Sequence, residues 1–121
     1  MKKEEAAGMI VLLVEKPNDR GGHELATKMK QLPCVRRLYI AGQDESVREL
    51  GFYIYADYAD AQDIDKLIYV ARLEEIKVVV IEPENPVANT ILDACKTHGL
   101  TAFVGLCDAL PLLNSPDDLS S

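Results

Sequence analysis

The chain has 121 residues, 48% of them hydrophobic and 27% charged, and carries a formal net charge of −7. This is the size of one domain with enough apolar material for a real core. The acidic balance argues against nucleic acid and anionic membrane surfaces as partners, because both need a basic face.

The first eight residues, MKKEEAAG, are charged and read as a flexible N-terminal segment. Met9–Val14 (MIVLLV) is a continuous apolar run, as expected for a central parallel strand covered on both faces. Six residues are too few for a signal-peptide core or a membrane span, so a cytoplasmic protein is expected. Residues 15–21 (EKPNDRG) are turn formers, and Gly22 to Gln31 reads as a helix with Leu25 and Met29 on one face. Pro33 ends it. Val35–Ala41 is the second strand, Asp44 caps a short helix to Leu50, and Phe52–Ala56 is the third strand. Asp60 or Asp63 caps the next helix, whose apolar positions Ile64, Leu67, Ile68, Ala71 and Leu73 keep the helical period. Lys77–Ile81 is the fourth strand, again unbroken and β-branched. Pro86 suits the first turn of the helix that follows, and Gly99 is placed to stop it. Ala102–Val104 is the fifth strand, Asp108–Leu113 a last short helix, and residues 115–121 a polar tail.

Strands alternating with helices imply parallel βαβ units with right-handed crossovers. The expected fold is α/β: a single three-layer α/β/α Rossmann-like domain over residues 9–114, with a parallel sheet of five strands in the order 3-2-1-4-5. In such sheets a ligand binds just outside the carboxyl ends of the strands. A glycine there lets backbone N–H groups close on a phosphate. Here the first and fourth strands run instead into glutamates, Glu15 and Glu82.

Three segments carry a resemblance: VLLVEKPNDRGGHELATKM, RRLYIAGQDES and IKVVVIEPENPVANTILDACKTHGLTAFVG. Their order and spacing resemble the N-terminal, pre-ATP-grasp domain of glycinamide ribonucleotide synthetase (phosphoribosylamine–glycine ligase), which joins glycine to phosphoribosylamine in purine synthesis using ATP. The family's first loop reads Gly-Ser-Gly-Gly-Arg-Glu-His-Ala-Leu. The equivalent stretch here runs from Glu15 to Leu25 and keeps His23, with Gly21, Gly22 and the cation Arg20 beside it. The family's second loop, Pro-Gly-Asn-Ala-Gly, retains only Gly42, followed by Gln43-Asp44-Glu45. Its third, Gly-Pro-Glu-x-Pro, becomes Glu82-Pro83-Glu84-Asn85-Pro86, keeping Pro83, Glu84 and Pro86. The resemblance therefore implies Arg20, Gly21, Gly22, His23, Gly42, Glu84 and Pro86 as substrate-binding positions, with Glu15 and Glu82 as altered site carboxylates.

All three departures add negative charge at one sheet edge. Two unit charges about 4 Å apart repel by about 4 kcal/mol at an effective dielectric of about 20, so a phosphate dianion there is disfavoured. The chain also stops where the family's ATP-grasp module would begin, and ligase activity by this chain alone is not expected. No catalytic residue, cofactor or metal site is assigned. Cys34, Cys95 and Cys107 form no CxxC and read as reduced thiols, and neither histidine lies at ligand spacing from them.

Each candidate also has a plainer reading. His23 reads more simply as a polar residue closing the loop ahead of a helix than as a substrate contact. Glu15 and Glu82 read more simply as solvated carboxylates on drifted loops than as a cation-binding or acid–base pair. Glu84 shapes its loop as readily as it contacts a ligand. Asp57 is discounted as a ribose ligand because no G-x-G-x-x-G precedes it. The expected role is that of a non-catalytic relative of the ligase domain, a small binding or protein-interaction module. One alternative is the substrate-binding part of an active ligase completed by an ATP-grasp module elsewhere. A second is a receiver-like signalling domain, which Glu15 and Asp57 partly fit and Glu82 and Gly105-Leu106 do not. A phosphoribosyl-type ligand, a protein partner and self-association all stay open.

Overall fold

The computed structural model describes residues 8–16, 23–57 and 61–113. Five parallel strands form one sheet: β1 (Met9–Val14), β2 (Val35–Gly42), β3 (Phe52–Tyr55), β4 (Val78–Ile81) and β5 (Thr101–Val104). Their order is β3-β2-β1-β4-β5, the doubly wound arrangement expected from the alternation of elements. The helices are α1 (Glu24–Lys30), α2 (Ala61–Leu73), α3 (Ala88–Thr97) and α4 (Leu106–Leu113), with a short 3-10 helix at Glu45–Glu49.

β1 reads as an unbroken apolar run because it lies between β2 and β4 and both its faces are covered. All six of its residues are buried. Ile10, Leu12 and Val14 pack with Ile64, Leu67, Ile68 and Ala71 of α2 and with Ile91 and Cys95 of α3. Met9, Val11 and Leu13 point the other way, onto Ala26 and Met29 of α1, Val47 of the 3-10 helix, and Ala109 and Leu113 of α4. Those two cores make the fold three-layered.

Several element ends differ from expectation. Helix α1 begins at Glu24 with His23 at its N-cap position. Helix α4 begins at Leu106, two residues ahead of Asp108, and carries Pro111 inside it. Pro86 lies in the turn before α3 and not in its first turn, because Ala88 is the first helical residue and Val87 its N-cap. Asp63 is a first-turn residue of α2 whose Oδ2 accepts from the Asp57 N–H at 2.8 Å, so it ties the helix to the end of β3. Asp60, the other expected cap, lies outside the described residues, as do the terminal segments 1–7 and 114–121. Leu73 is 61% exposed and is no part of the core.

Two helices end in the same six-residue hydrogen-bond motif. At the end of α3, Leu100 N–H donates to Cys95 O at 2.8 Å and Gly99 N–H to Lys96 O at 3.1 Å. Gly99 takes the left-handed φ of 76° that this requires. At the end of α2, Ile76 N–H donates to Ala71 O at 2.8 Å, and the left-handed position is held by Glu75 at φ 59°. A non-glycine residue is strained there. The substitution Glu75→Gly is therefore expected to raise stability by about 0.5–1 kcal/mol, net of the greater freedom of glycine in the unfolded chain. A urea midpoint that stays put or falls would show that the Glu75 side chain contributes more than its backbone strain removes.

Candidate functional site

Sheet register brings the candidate residues to one edge. Val14 pairs with Ala41 on one side and Ile81 on the other. The first residues past β1 and β4 therefore stand level with Gly42, the last residue of β2. Glu15 N–H donates to Ala41 O at 2.9 Å, and Glu82 N–H donates to Val14 O at 2.9 Å. Strand alternation then sends both side chains toward the face covered by α1 and α4.

Glu15 is buried, with 2% of its surface exposed, so it is not a solvated loop carboxylate. Its Oε2 lies 2.9 Å from Nδ1 of His23. The other ring nitrogen, Nε2, lies 3.2 Å from Oδ2 of Asp44 and 3.1 Å from Oγ of Ser46. A ring with a carboxylate facing each nitrogen is best satisfied when both nitrogens donate, as in the imidazolium. Burial opposes that charge, yet the hydrogen bonds and the fields of Glu15 and then Asp44 outweigh it and hold the His23 pKa above its ordinary 6.5. Asp44 also caps the 3-10 helix, its Oδ1 accepting from Ser46 N–H at 3.0 Å. His23 thus joins three elements: the end of β1, the start of α1, and the turn after β2.

Gly42 is part of the same packing. A Cβ built there would meet Glu15 Oε1 at 3.0 Å and Glu15 Cβ at 3.4 Å. The Glu15 carboxylate fills the crevice between the ends of β1 and β2, and only a residue without a side chain fits beside it easily.

Glu82 is turned to a different task. Its Oε1 accepts from the backbone N–H of Lys16 at 2.7 Å. Among the described residues, Glu15 holds an imidazole and Glu82 a backbone amide. Glu84 and Pro86 are exposed. Glu84 lines a groove of about 670 Å³ between α1 and α4, together with Lys16, Lys28, Glu82, Leu106 and Cys107. Arg20, Gly21 and Gly22 lie outside the described residues. Tyr53 donates its hydroxyl to Gly42 O at 3.3 Å, while Tyr55 and Tyr69 are 52% and 65% exposed.

Two further residues belong to the site without having stood out in the sequence. Asn85 is 3% exposed. Its Nδ2 donates to Glu15 O at 3.0 Å, and its Oδ1 accepts from Val87 N–H at 3.0 Å. It locks the β4–α3 loop against the β1–α1 loop. The available signal was an asparagine just before a proline, a residue type that readily bonds backbone two residues on. Ser46, the other addition, carries no such signal. Among the described residues, no group of three or more His, Cys, Asp or Glu is arranged to hold a metal ion, and no helix is long and apolar enough to cross a membrane.

The family model of the phosphoribosylglycinamide synthetase N domain matches residues 9–109. A phosphoribosylamine–glycine ligase of Allochromatium vinosum is 35% identical over 82 residues, which cover 67% of this chain and 19% of that protein. The chain thus matches about a fifth of that relative's length.

Proposed function

This chain belongs to the phosphoribosylglycinamide synthetase N-domain family, and on that premise we propose that it is a non-catalytic relative of the ligase domain, acting as a small binding or protein-interaction module of the cytoplasm. The observation that carries this reading is the occupation of the sheet edge by the protein's own carboxylates. The Lys16 N–H, a donor on the loop where a phosphate would be cradled, is taken by Glu82. The crevice between β1 and β2 is filled by Glu15, whose carboxylate is paired with His23. A phosphate entering there would have to displace both and meet Asp44 as well. No residue of the site is assigned to a chemical step, and no cofactor is required by the reading. Family membership replaces the receiver-like alternative.

A second reading is supported by the groove between α1 and α4, whose lining includes Lys16, Lys28 and Gly105 along with Glu24, Glu82 and Glu84. In it the chain is the substrate-binding N-terminal part of an active phosphoribosylamine–glycine ligase of purine biosynthesis, completed by an ATP-grasp module elsewhere. Titration with glycinamide ribonucleotide, ribose 5-phosphate, AMP and ATP, followed by calorimetry and thermal shift, separates the two. A ligand at about a hundred times its Kd stabilises a fold by about 2.7 kcal/mol. The expected result is no shift with any of the four. A saturable shift with the phosphoribosyl compounds overturns the first reading in favour of the second.

A further inference from the structure

The outer side of α2, away from the sheet-edge site, has an unusual composition for a solvated helix face. Ile64, Leu67, Ile68 and Ala71 point inward and are buried. On the outside, Tyr69 is 65% exposed and Leu73 61% exposed. They border a depression of about 530 Å³ between α2 and the end of α3, with Asp65, Arg72 and His98 around it. Large apolar side chains exposed side by side under a charged rim mark an interaction surface more often than isolated ones do.

The charges say which partner fits. Asp65 and Arg72 are both exposed, and among the described residues neither has an ion-pair partner. They are seven residues apart, which on an α-helix returns to nearly the same direction after two turns. An axis crossing α2 between Ile68 and Tyr69 lies midway between them. When two copies of α2 meet antiparallel about such an axis, Asp65 faces Arg72 of the partner subunit, and Arg72 faces Asp65 of the partner subunit. Tyr69 falls beside the axis, and Leu73 packs one turn outward. The surface is therefore complementary to itself, which is the condition for an isologous contact.

We propose that the outer face of α2 is a self-association surface, on which two copies of this chain pair antiparallel through Tyr69 and Leu73, with crossed Asp65–Arg72 pairs fixing the register. A three-turn helix pair is smaller than the roughly 1,200–2,000 Å² of a standard stable interface, so the dimer is weak and reversible. Each copy carries a net charge of −7, and their mutual repulsion is screened over about 8 Å at physiological ionic strength.

Sedimentation of the full chain tests this, with a reductant present so that the exposed thiol of Cys107 cannot cross-link copies. Between about 10 and 500 µM, the range suited to an interface of sub-standard size, the weight-average mass is expected to climb from 13.4 kDa toward twice that value. Asp65→Arg and Arg72→Asp, each alone, place like charges opposite one another twice and are expected to weaken association about tenfold or more. The double variant Asp65→Arg/Arg72→Asp restores opposite charges and is expected to recover it. Both positions are exposed, and circular dichroism verifies that the variants fold. A chain that stays monomeric throughout overturns the proposal. So does a dimer indifferent to the single swaps, which would pair elsewhere, for example along the edge strand β3. Failure of the double swap to recover association overturns it equally.

Discussion

Replacing His23 by alanine is expected to destabilise the fold by about 2–3 kcal/mol, the range for hydrogen bonds to charged groups whose partner is left buried. The effect is large because Glu15 is large, charged and 2% exposed. With the imidazole gone, that carboxylate loses its contact at 2.9 Å, and Asp44 loses one at 3.2 Å. For a domain of this size about 1 kcal/mol corresponds to about 4 °C in Tm, so a drop on the order of 10 °C is expected in a thermal melt. A change within about 1 °C, well below that range, would mean that the three elements hold their places without the imidazole.

The same cluster sets a pH dependence whose sign follows from the direction of the shift. The His23 pKa in the folded protein lies above its ordinary 6.5 because Glu15 and Asp44 outweigh the opposing effect of burial. The proton is thus bound more tightly in the folded state than in the unfolded one. The stabilisation it brings is fully present below about pH 6.5 and is lost as pH rises through the folded value. The wild-type protein should therefore lose stability as pH rises from about 6.5 through the folded value, and the His23→Ala variant should lack that decline. Two parallel pH–stability curves would show that His23 binds its proton equally in the folded and unfolded states.

How legible all this was depended on the range of the interactions. The sheet was legible because β1 and β4 are unbroken apolar runs, a pattern that only a doubly covered parallel strand explains well. The positions of Glu15 and Glu82 were legible too, because a strand's end is marked by the first charged residue after it. Their environment was not. Glu15 is buried through His23, eight positions along, and Asp44, twenty-one positions beyond that, and contacts between separate loops leave no periodic trace. Asp44 was recognised as a helix cap, which accounts for one of its oxygens; the other reaches the imidazole. The start of α3 was misplaced because proline suits both a first helical turn and the turn before one. The choice between them was made by Asn85, whose Oδ1 takes the Val87 N–H.

Asn85→Ala is expected to cost about 2–4 kcal/mol, since it leaves one buried and one part-buried backbone group without its side-chain partner, at about 1–3 kcal/mol each. Those groups are the Glu15 carbonyl and the Val87 N–H. Asn85→Asp is the sharper variant. An ionised aspartate still accepts from Val87, but it turns an acceptor toward the Glu15 carbonyl, so its damage should be greatest at neutral pH and ease as the carboxyl becomes protonated. Glu15 connects this substitution to the first: His23 holds its carboxylate, and Asn85 holds its carbonyl. Residues that share a partner couple by about 0.5–3 kcal/mol in a double-mutant cycle. Chemical denaturation of His23→Ala, Asn85→Ala and the double variant measures that coupling. A clear non-additive term would establish Glu15 as the residue through which the loops after β1, β2 and β4 hold one another. Simple additivity would separate them into two independent contacts, with the Glu15–His23 pairing and the Asn85 bonds each holding its own part of the sheet edge.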